Sequence, residues 1–234
     1  MIKRFFDIVF SLVGLVIISP IFLLFLFLIY FYDFHNPFYV APRVGLNGRL
    51  FNMIKLRSMA INADKTGVAS TASDDNRITP IGRIIRKLKF DELSQLINVL
   101  NGSMSLVGPR PQVEKDVKLY TEKEKKLLKV RPGITDFSSI IFSDEGDILK
   151  GSSDPDMDYN LLIRPWKSRL GLFYIKNQTF ILDLKLIFLT IISFINKNFV
   201  LKIISKSLER KNAEKDLVLV SLRNDVLIPS SPPE

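Results

Sequence analysis

The apolar positions are distributed very unevenly. Residues 8–32, "IVFSLVGLVIISPIFLLFLFLIYFY", form an uncharged run that nothing later in the chain matches. As a straight helix it would extend about 37 Å, enough to cross a hydrocarbon core of about 30 Å. Ser19-Pro20 stands in its middle, and proline, without an N–H, predicts a kink or break there. Each arm would then reach about 18–20 Å, too short to cross alone. The run is longer than a signal-peptide core and no small-residue cleavage site follows it, so a removed leader is not expected. Lys3 and Arg4 precede it, and Arg43, Arg49, Lys55 and Arg57 follow, so both flanks carry the cytoplasmic signal. A re-entrant hairpin satisfies both flanks and a spanning helix only one, although membrane helices tolerate proline and a kinked span stays open.

After this run the period changes. "FYVAPRVGLNGRLFNMIKL" predicts two short strands around a turn at Asn47-Gly48, and "ADKTGVASTASDDN" a polar loop. Thr79-Pro80 supplies an N-cap and a proline at the first helical position for the basic helix "IGRIIRKLKF". Leu93, Leu96, Ile97 and Leu100 fall at helical spacing, and Asn101-Gly102 ends that helix. "SLVGPRP" and "VRPGITD" read as rigid connectors, with an exposed charged helix between residues 112 and 130. Residues 143–158 form an acidic loop whose spacing, missing glycine and missing closing glutamate exclude an EF-hand calcium site. Asp183 opens an apolar helix with Leu184, Ile187, Phe188, Ile191, Ile192 and Ile195 on one face; Leu186, Leu189 and Phe194 make the other face apolar too. Such a helix either lies against the bilayer or is buried in a core. Residues 197–211 alternate basic and apolar positions, as an interfacial helix on anionic lipid does, and the ending "LIPSSPPE" predicts disorder. The expected fold is mainly α with a small β-hairpin (α+β). Its parts are a re-entrant membrane segment over 1–36, a catalytic domain with interfacial helices over 37–196, and a basic amphipathic helix with a flexible tail over 197–234.

Composition narrows the function. The absence of cysteine excludes disulfides and cysteine-ligated metals. A net charge of +9, concentrated between Arg43 and Arg131, calls for an anionic partner. Zinc-finger spacing, an RNP-like motif and a recognition helix are all missing, so nucleic acid is not the expected partner. With the apolar N-terminus, the charge points to phosphate chemistry at a membrane.

The candidate chemistry is in "RKLKFDELSQL", residues 86–96, where Asp91 and Glu92 stand side by side. Acidic residues at a helix start often only cap free N–H groups. Here Arg77, Arg83, Arg86, Lys87 and Lys89 precede the pair with no intervening acid, and Arg110 follows between two prolines. Arginines and a helix N-terminus would bind a diphosphate and keep Asp91 ionised. An ionised aspartate can attack phosphorus, and Glu92, with Asp91 as a further ligand, could hold Mg²⁺. Neither the P-loop nor the dinucleotide glycine fingerprint is present.

The segment "RITPIGRIIRKLKFDELSQLINVLNGSMSLVGPRP", residues 77–111, resembles the core of the bacterial sugar transferases, the monotopic phosphoglycosyl transferases. The likeness extends to "KRFFDIVFSLVGLVIISP", "FNMIKLRSM", "VRPGITD" and "YIKNQTFILDLKLIFLT", in the family's order. The resemblance implies a re-entrant helix broken at Ser19-Pro20 and a catalytic domain on the cytoplasmic face of the bacterial inner membrane. It implies transfer of a sugar phosphate from a UDP-sugar to polyprenyl phosphate, with UMP released. This is the first membrane step of capsule, O-antigen, exopolysaccharide or glycoprotein glycan synthesis, feeding downstream glycosyl transferases. The family's nucleophile falls on Asp91, its magnesium-binding glutamate on Glu92, its phosphate-binding cations on Arg57, Arg86 and Arg110, and a further acid on Asp183. Arg77 and Arg83 are candidates for supporting charge. The chain departs from the family pattern after "PGIT", where "DFSSIIFSDEGDI" and the acidic loop replace "G-W-x-Q-V-N-G-R". "GSMS" replaces "GDMS", and Phe90 replaces the usual leucine. A glycosyl transferase releasing UDP and a non-catalytic anionic-lipid scaffold are the alternatives. His35 reads as a turn residue and Trp166 as a core or interface contact.

Overall fold

The computed structural model describes residues 2–234. In chain order its elements are helix α1 (Ile2–Asp33), strands β1 (Phe38–Val44) and β2 (Leu50–Leu56), helices α2 (Pro80–Lys87) and α3 (Gln95–Leu100), strand β3 (Ser105–Val107), the short helix α4 (Glu114–Val117) and strand β4 (Gly133–Thr135). There follow α5 (Phe137–Ile141), α6 (Glu145–Ile148), α7 (Pro155–Asp158), α8 (Arg164–Asn177), α9 (Phe180–Ser193), α10 (Lys197–Arg210) and α11 (Lys215–Leu222). The mainly helical fold with a small hairpin agrees with the pattern.

Among the described residues, α1 is the one helix long and apolar enough to cross a membrane. The helix does not end at Ser19-Pro20: helical backbone is continuous from Ile2 to Asp33, with Pro20 inside it. The reason is local. Proline leaves the carbonyl four residues earlier, that of Val16, without its N–H partner; the Ser19 hydroxyl donates to that same carbonyl at 2.8 Å. A neighbouring hydroxyl that takes up the freed group is how apolar helices keep an internal proline.

One narrow stripe of α1 packs on the rest of the protein, and its ends are both tied down. Lys3 Nζ donates to Asp183 Oδ2 at 2.5 Å, to the Val107 carbonyl at 2.9 Å and to the Tyr174 hydroxyl at 3.1 Å. Arg4 donates to the carbonyls of Val99 and Leu100 at the C-terminal end of α3, where a cation opposes the helix dipole. Asp7 accepts from Ser105 Oγ and from the Leu106 N–H. At the other end Phe22, Phe25, Leu26 and Ile29 pack with Phe38, Leu56, Ile81, Ile85 and Phe90, and Asp33 pairs with Arg57. The remaining faces present Phe5, Val13, Val16, Ile17, Leu23, Leu24, Phe27 and Phe31 outward.

β1 and β2 pair antiparallel, from Phe38 opposite Leu56 to Val44 opposite Leu50. Asn47 and Gly48 both have positive φ, as the turn signal requires. The two segments read as connectors contain a second sheet: β3 and β4 pair in parallel, Ser105 with Gly133 and Val107 with Thr135. A side chain on Gly133 would lie 2.1 Å from the Gly108 nitrogen, so two glycines facing each other permit the approach. Period-2 reading missed these strands because each is only three residues long.

The charged stretch between 112 and 130 is not one exposed helix. It is split into α4 and a 3₁₀ turn over Glu124–Lys129, because Glu124 is fully buried. Glu124 accepts from Arg164 Nη1 at 3.2 Å and from Ser168 Oγ at 2.6 Å.

The main core gathers Phe137, Ile140, Ile141, Leu149, Ile163, Leu170 and Tyr174 with Leu186, Val200, Ile204, Leu208 and Leu217. In α9, Leu182, Leu186 and Leu189 are buried in this core, while Ile181, Phe188 and Ile191 are exposed. Helices α10 and α11 contribute buried residues to this core and are integral to it. The ending "LIPSSPPE" forms no helix or strand; Ser230 N donates to the carbonyl of Leu161, in the turn before α8, at 3.0 Å, and Arg169 Nη2 of α8 donates to the Ser231 carbonyl at 2.8 Å.

Candidate active site

α2 ends at Lys87, and the chain reverses through Lys89, which takes the left-handed conformation (φ 57°). A single 3₁₀ turn over Phe90–Glu92 follows, and α3 begins only at Gln95. The carboxylate pair is therefore not a helix cap. The Asp91 Oδ1 atom is buried and has no hydrogen-bond partner, although Asp91 as a whole is only 6% exposed. A buried carboxylate oxygen left unpaired is costly, and such groups concentrate at functional positions.

Three elements converge on this turn. The GPRP connector after β3 delivers Arg110, whose two terminal nitrogens grip both Glu92 oxygens; Nη1 to Oε2 measures 3.0 Å. β2 delivers Lys55, with Nζ 3.7 Å from Asp91 Oδ2 and 3.9 Å from Glu92 Oε1. α1 supplies the third side: the rings of Phe25 and Phe90 lie 5.2 Å apart, so the apolar helix abuts the residue preceding Asp91. α3 is locked to β2 by Asn98, which accepts from the Ile54 N–H and donates to the Asn52 carbonyl, and by Ser94 Oγ donating to the Ile54 carbonyl. The Val44 N–H donates to the Gln112 carbonyl at 2.9 Å, fixing the Arg110 connector to the hairpin.

Charge dominates the site. Burial alone would raise the Glu92 pKa, but the positive charges of Arg110 and Lys55 outweigh it and hold the group well below the usual carboxylate range. The Glu92 charge in turn raises Arg110. Burial pushes Lys55 down, against the opposing pull of Asp91 and Glu92 and with the help of Arg110 and Arg86. Lys55, Arg86, Lys89 and Arg110 together outnumber the two carboxylates, which leaves net positive charge around the pair.

Of the residues expected at the site, Asp91, Glu92 and Arg110 come together, and Arg86 lies close enough for its charge to act on Lys55. The others do other work. Arg57 binds Asp33 with both terminal nitrogens, at 2.5 and 2.6 Å, and donates Nε to the Asn36 carbonyl, so it fastens the end of α1. Arg77 binds Asp75 and the carbonyls of Ala63 and Val68, clamping the polar loop. Arg83 points to solvent on α2. Asp183 is buried and accepts from Lys3 and from Tyr174 Oη at 2.6 Å, which makes it the anchor of the other end of α1. His35 sits in the exposed turn after α1, and Trp166 is in the core beneath the Arg169 guanidinium. Lys55 was not singled out as a site residue, although one signal was there: it is the single charge within the strand "LFNMIKL".

Most of the acidic segment is paired. Asp144 meets Lys197 and Arg223, Glu145 meets Lys167, and Asp156 meets Lys115 and the N–H groups of Ala69 and Ser70. Among the described residues no three histidine or acidic side chains converge as a protein-only metal cage. Mg²⁺, however, is commonly held by one or two carboxylates with substrate phosphates and water completing the shell. The unpartnered Asp91 oxygen, and Glu92 through the lone pairs its oxygens keep beyond their bonds to Arg110, fit that arrangement.

A family profile described as bacterial sugar transferase matches residues 1–197. The chain is 33% identical over 204 residues to the exopolysaccharide production protein ExoY of Sinorhizobium fredii, covering 81% of this chain and 83% of the relative. It is 35% identical over 204 residues to the undecaprenyl-phosphate galactose phosphotransferase of Salmonella typhimurium, covering 81% of this chain but 39% of that protein. It is 46% identical over 111 residues to a putative undecaprenyl-phosphate N-acetylgalactosaminyl 1-phosphate transferase of Bacillus subtilis, covering 47% of this chain and 62% of the relative.

Proposed function

The chain belongs to the bacterial sugar transferase family, and from that membership we propose that it transfers a sugar 1-phosphate from a UDP-sugar to polyprenyl phosphate, releasing UMP. The observation that carries the reading is Asp91: a buried carboxylate with one unpartnered oxygen, flanked by Lys55 and by the Glu92–Arg110 pair, at the foot of the apolar helix.

In the first step an Asp91 oxygen attacks the sugar-bearing phosphorus. The bond from that phosphorus to the bridging oxygen breaks, and UMP leaves with the electron pair. In the second step a phosphate oxygen of the lipid attacks the same phosphorus, the acyl-phosphate bond breaks, and the Asp91 carboxylate is restored. The product is a polyprenyl diphosphate sugar. Dividing the displacement lets the water-soluble nucleotide leave before the lipid must enter. Lys55 and Arg110 neutralise charge that builds on the diphosphate, in a buried setting where preorganised cations act most strongly. Mg²⁺, when bound at Glu92, would neutralise charge on the departing phosphate.

Membrane placement follows the same reading. Lys3, Arg4 and Asp7 at one end of α1 and Asp33 at the other all bond to one domain. A helix crossing the bilayer would carry one of those ends to the far side. The shared attachment supports a helix that enters and leaves a single leaflet, with the domain on the cytoplasmic face of the bacterial inner membrane. The exposed apolar face of α9 would lie at the interface beside it.

The test is nucleotide release from protein in nanodiscs containing Mg²⁺, undecaprenyl phosphate and a panel of UDP-sugars. Lipid-dependent UMP release that disappears in Asp91→Asn is the expected result. UDP as the product, or an active Asp91→Asn protein, would overturn the mechanism.

A further inference from the structure

Beyond the segment that matches the family profile, α10 carries a row of cations that no described acid neutralises. Its apolar side, Val200, Leu201, Ile204 and Leu208, is buried in the main core. That packing fixes the opposite side: Lys202, Lys206 and Arg210, four residues apart, are exposed, and Lys211 follows them. Lys185 approaches from α9, its Nζ 3.3 Å from Ser207 Oγ of α10. Among the described residues none of these five cations forms a salt bridge, in contrast to Lys3, Lys115, Lys167 and Lys197. Burial, with Arg210 and Lys211 nearby, pushes the Lys185 pKa down.

The neighbouring surface indicates what the counter-ion is. Lys185 stands on the exposed face of α9 between Ile181 and Phe188, and that face continues through Ile191 to Ile195, which is 86% exposed. At its other end Phe180 packs against Phe6 of α1, with ring centroids 4.5 Å apart, so the outward apolar faces of α1 and α9 adjoin. The cation row therefore borders an apolar surface contiguous with the membrane helix. Apolar side chains edged by unpaired lysine and arginine match an anionic bilayer, with acyl chains under the first and phosphate headgroups under the second. Soluble phosphate would satisfy the cations and leave the apolar face uncovered.

We propose that α10, with Lys185 and Lys211, docks on anionic phospholipid headgroups and sets the tilt of the domain on the leaflet that holds α1. The proposal rests on the reading of the protein as a membrane enzyme, but its readout does not depend on turnover. The chain has no cysteine, so Asn198→Cys accepts a single environment-sensitive fluorophore at the start of α10. The full-length labelled protein is placed in nanodiscs of phosphatidylcholine alone or with phosphatidylglycerol, and quenching by neutral acrylamide is measured. Attraction to an anionic surface is worth about fivefold in equilibrium constant per basic residue, so losing three shifts the docked-to-undocked ratio by about a hundredfold. The expected result is a blue-shifted, acrylamide-protected probe only in anionic discs. High salt should reverse it, and Lys202→Gln/Lys206→Gln/Arg210→Gln should abolish it while circular dichroism stays unchanged. Equal protection in both disc types, or protection that survives the triple substitution, would overturn the proposal. Protection that instead depends on a second protein in the disc would assign the face to a copy of this chain and equally overturn it.

Discussion

Lys55 gives the sharpest test of the site's electrostatics. Replacing it with methionine keeps most of the side-chain volume and removes one charge 3.7 Å from Asp91 and 3.9 Å from Glu92. At an effective dielectric of about 20, a unit pair at this separation interacts by roughly 4 kcal/mol, an upper figure for a group that is still about one-fifth exposed. Loss of a single preorganised stabilising group in comparable settings costs about 3–4 kcal/mol, or 10²–10³ in kcat. Lys55→Met should therefore lower lipid-dependent UMP release by about two to three orders of magnitude, with the larger share in kcat. Lys55→Arg should retain part of the activity, because the charge persists in altered geometry. The pH profile separates the two variants. Burial lowers the Lys55 pKa, so its charge is present below that pKa and is lost as pH rises through it. The parent enzyme should lose activity on the alkaline side before the ordinary lysine range is reached, and Lys55→Arg should shift that limb upward. Turnover of Lys55→Met within about threefold of the parent would refute the assigned role.

Two further outcomes follow from the anchors around the site. Glu92 has a depressed pKa in the folded protein, so its pairing contributes stability above the unfolded value near 4.5 that is lost as pH falls toward the folded one. Thermal denaturation between pH 3 and 6 should show a Tm that falls with acid in the parent and falls less in Glu92→Gln. Asp183→Asn should lower stability by about 3 kcal/mol by leaving Lys3 without its counter-charge, while activity at low temperature persists. Lys3→Met should be less harmful in the Asp183→Asn background than alone, and full additivity in denaturant titrations would argue against the anchor.

Elements carried by composition and short-range signals were legible along the chain. The uncharged run, the turn at Asn47-Gly48 and the Thr79-Pro80 helix start all depend on residues close in sequence, and the structure has each of them. The helix does not end at Ser19-Pro20, because a side chain one position away binds the carbonyl that proline leaves free. The parallel pairing of β3 with β4 was invisible because three-residue strands carry no period and the pairing joins positions 28 residues apart.

The same division runs through the site. Asp91 and Glu92 were conspicuous as adjacent carboxylates within a basic segment, and residue type alone pointed to phosphate chemistry. Which cation serves them was a matter of folding. Arg57 and Lys55 are two positions apart on one extended segment, yet one ends at Asp33 and the other between the carboxylates. Asp183 and Lys3, separated by 180 positions, neutralise each other only because α1 lies along the domain. Local chemistry is written in residue identity and spacing. The partner of a long, flexible charged side chain is chosen by burial, where an unpaired charge is costly, and only the packed chain brings that partner within reach.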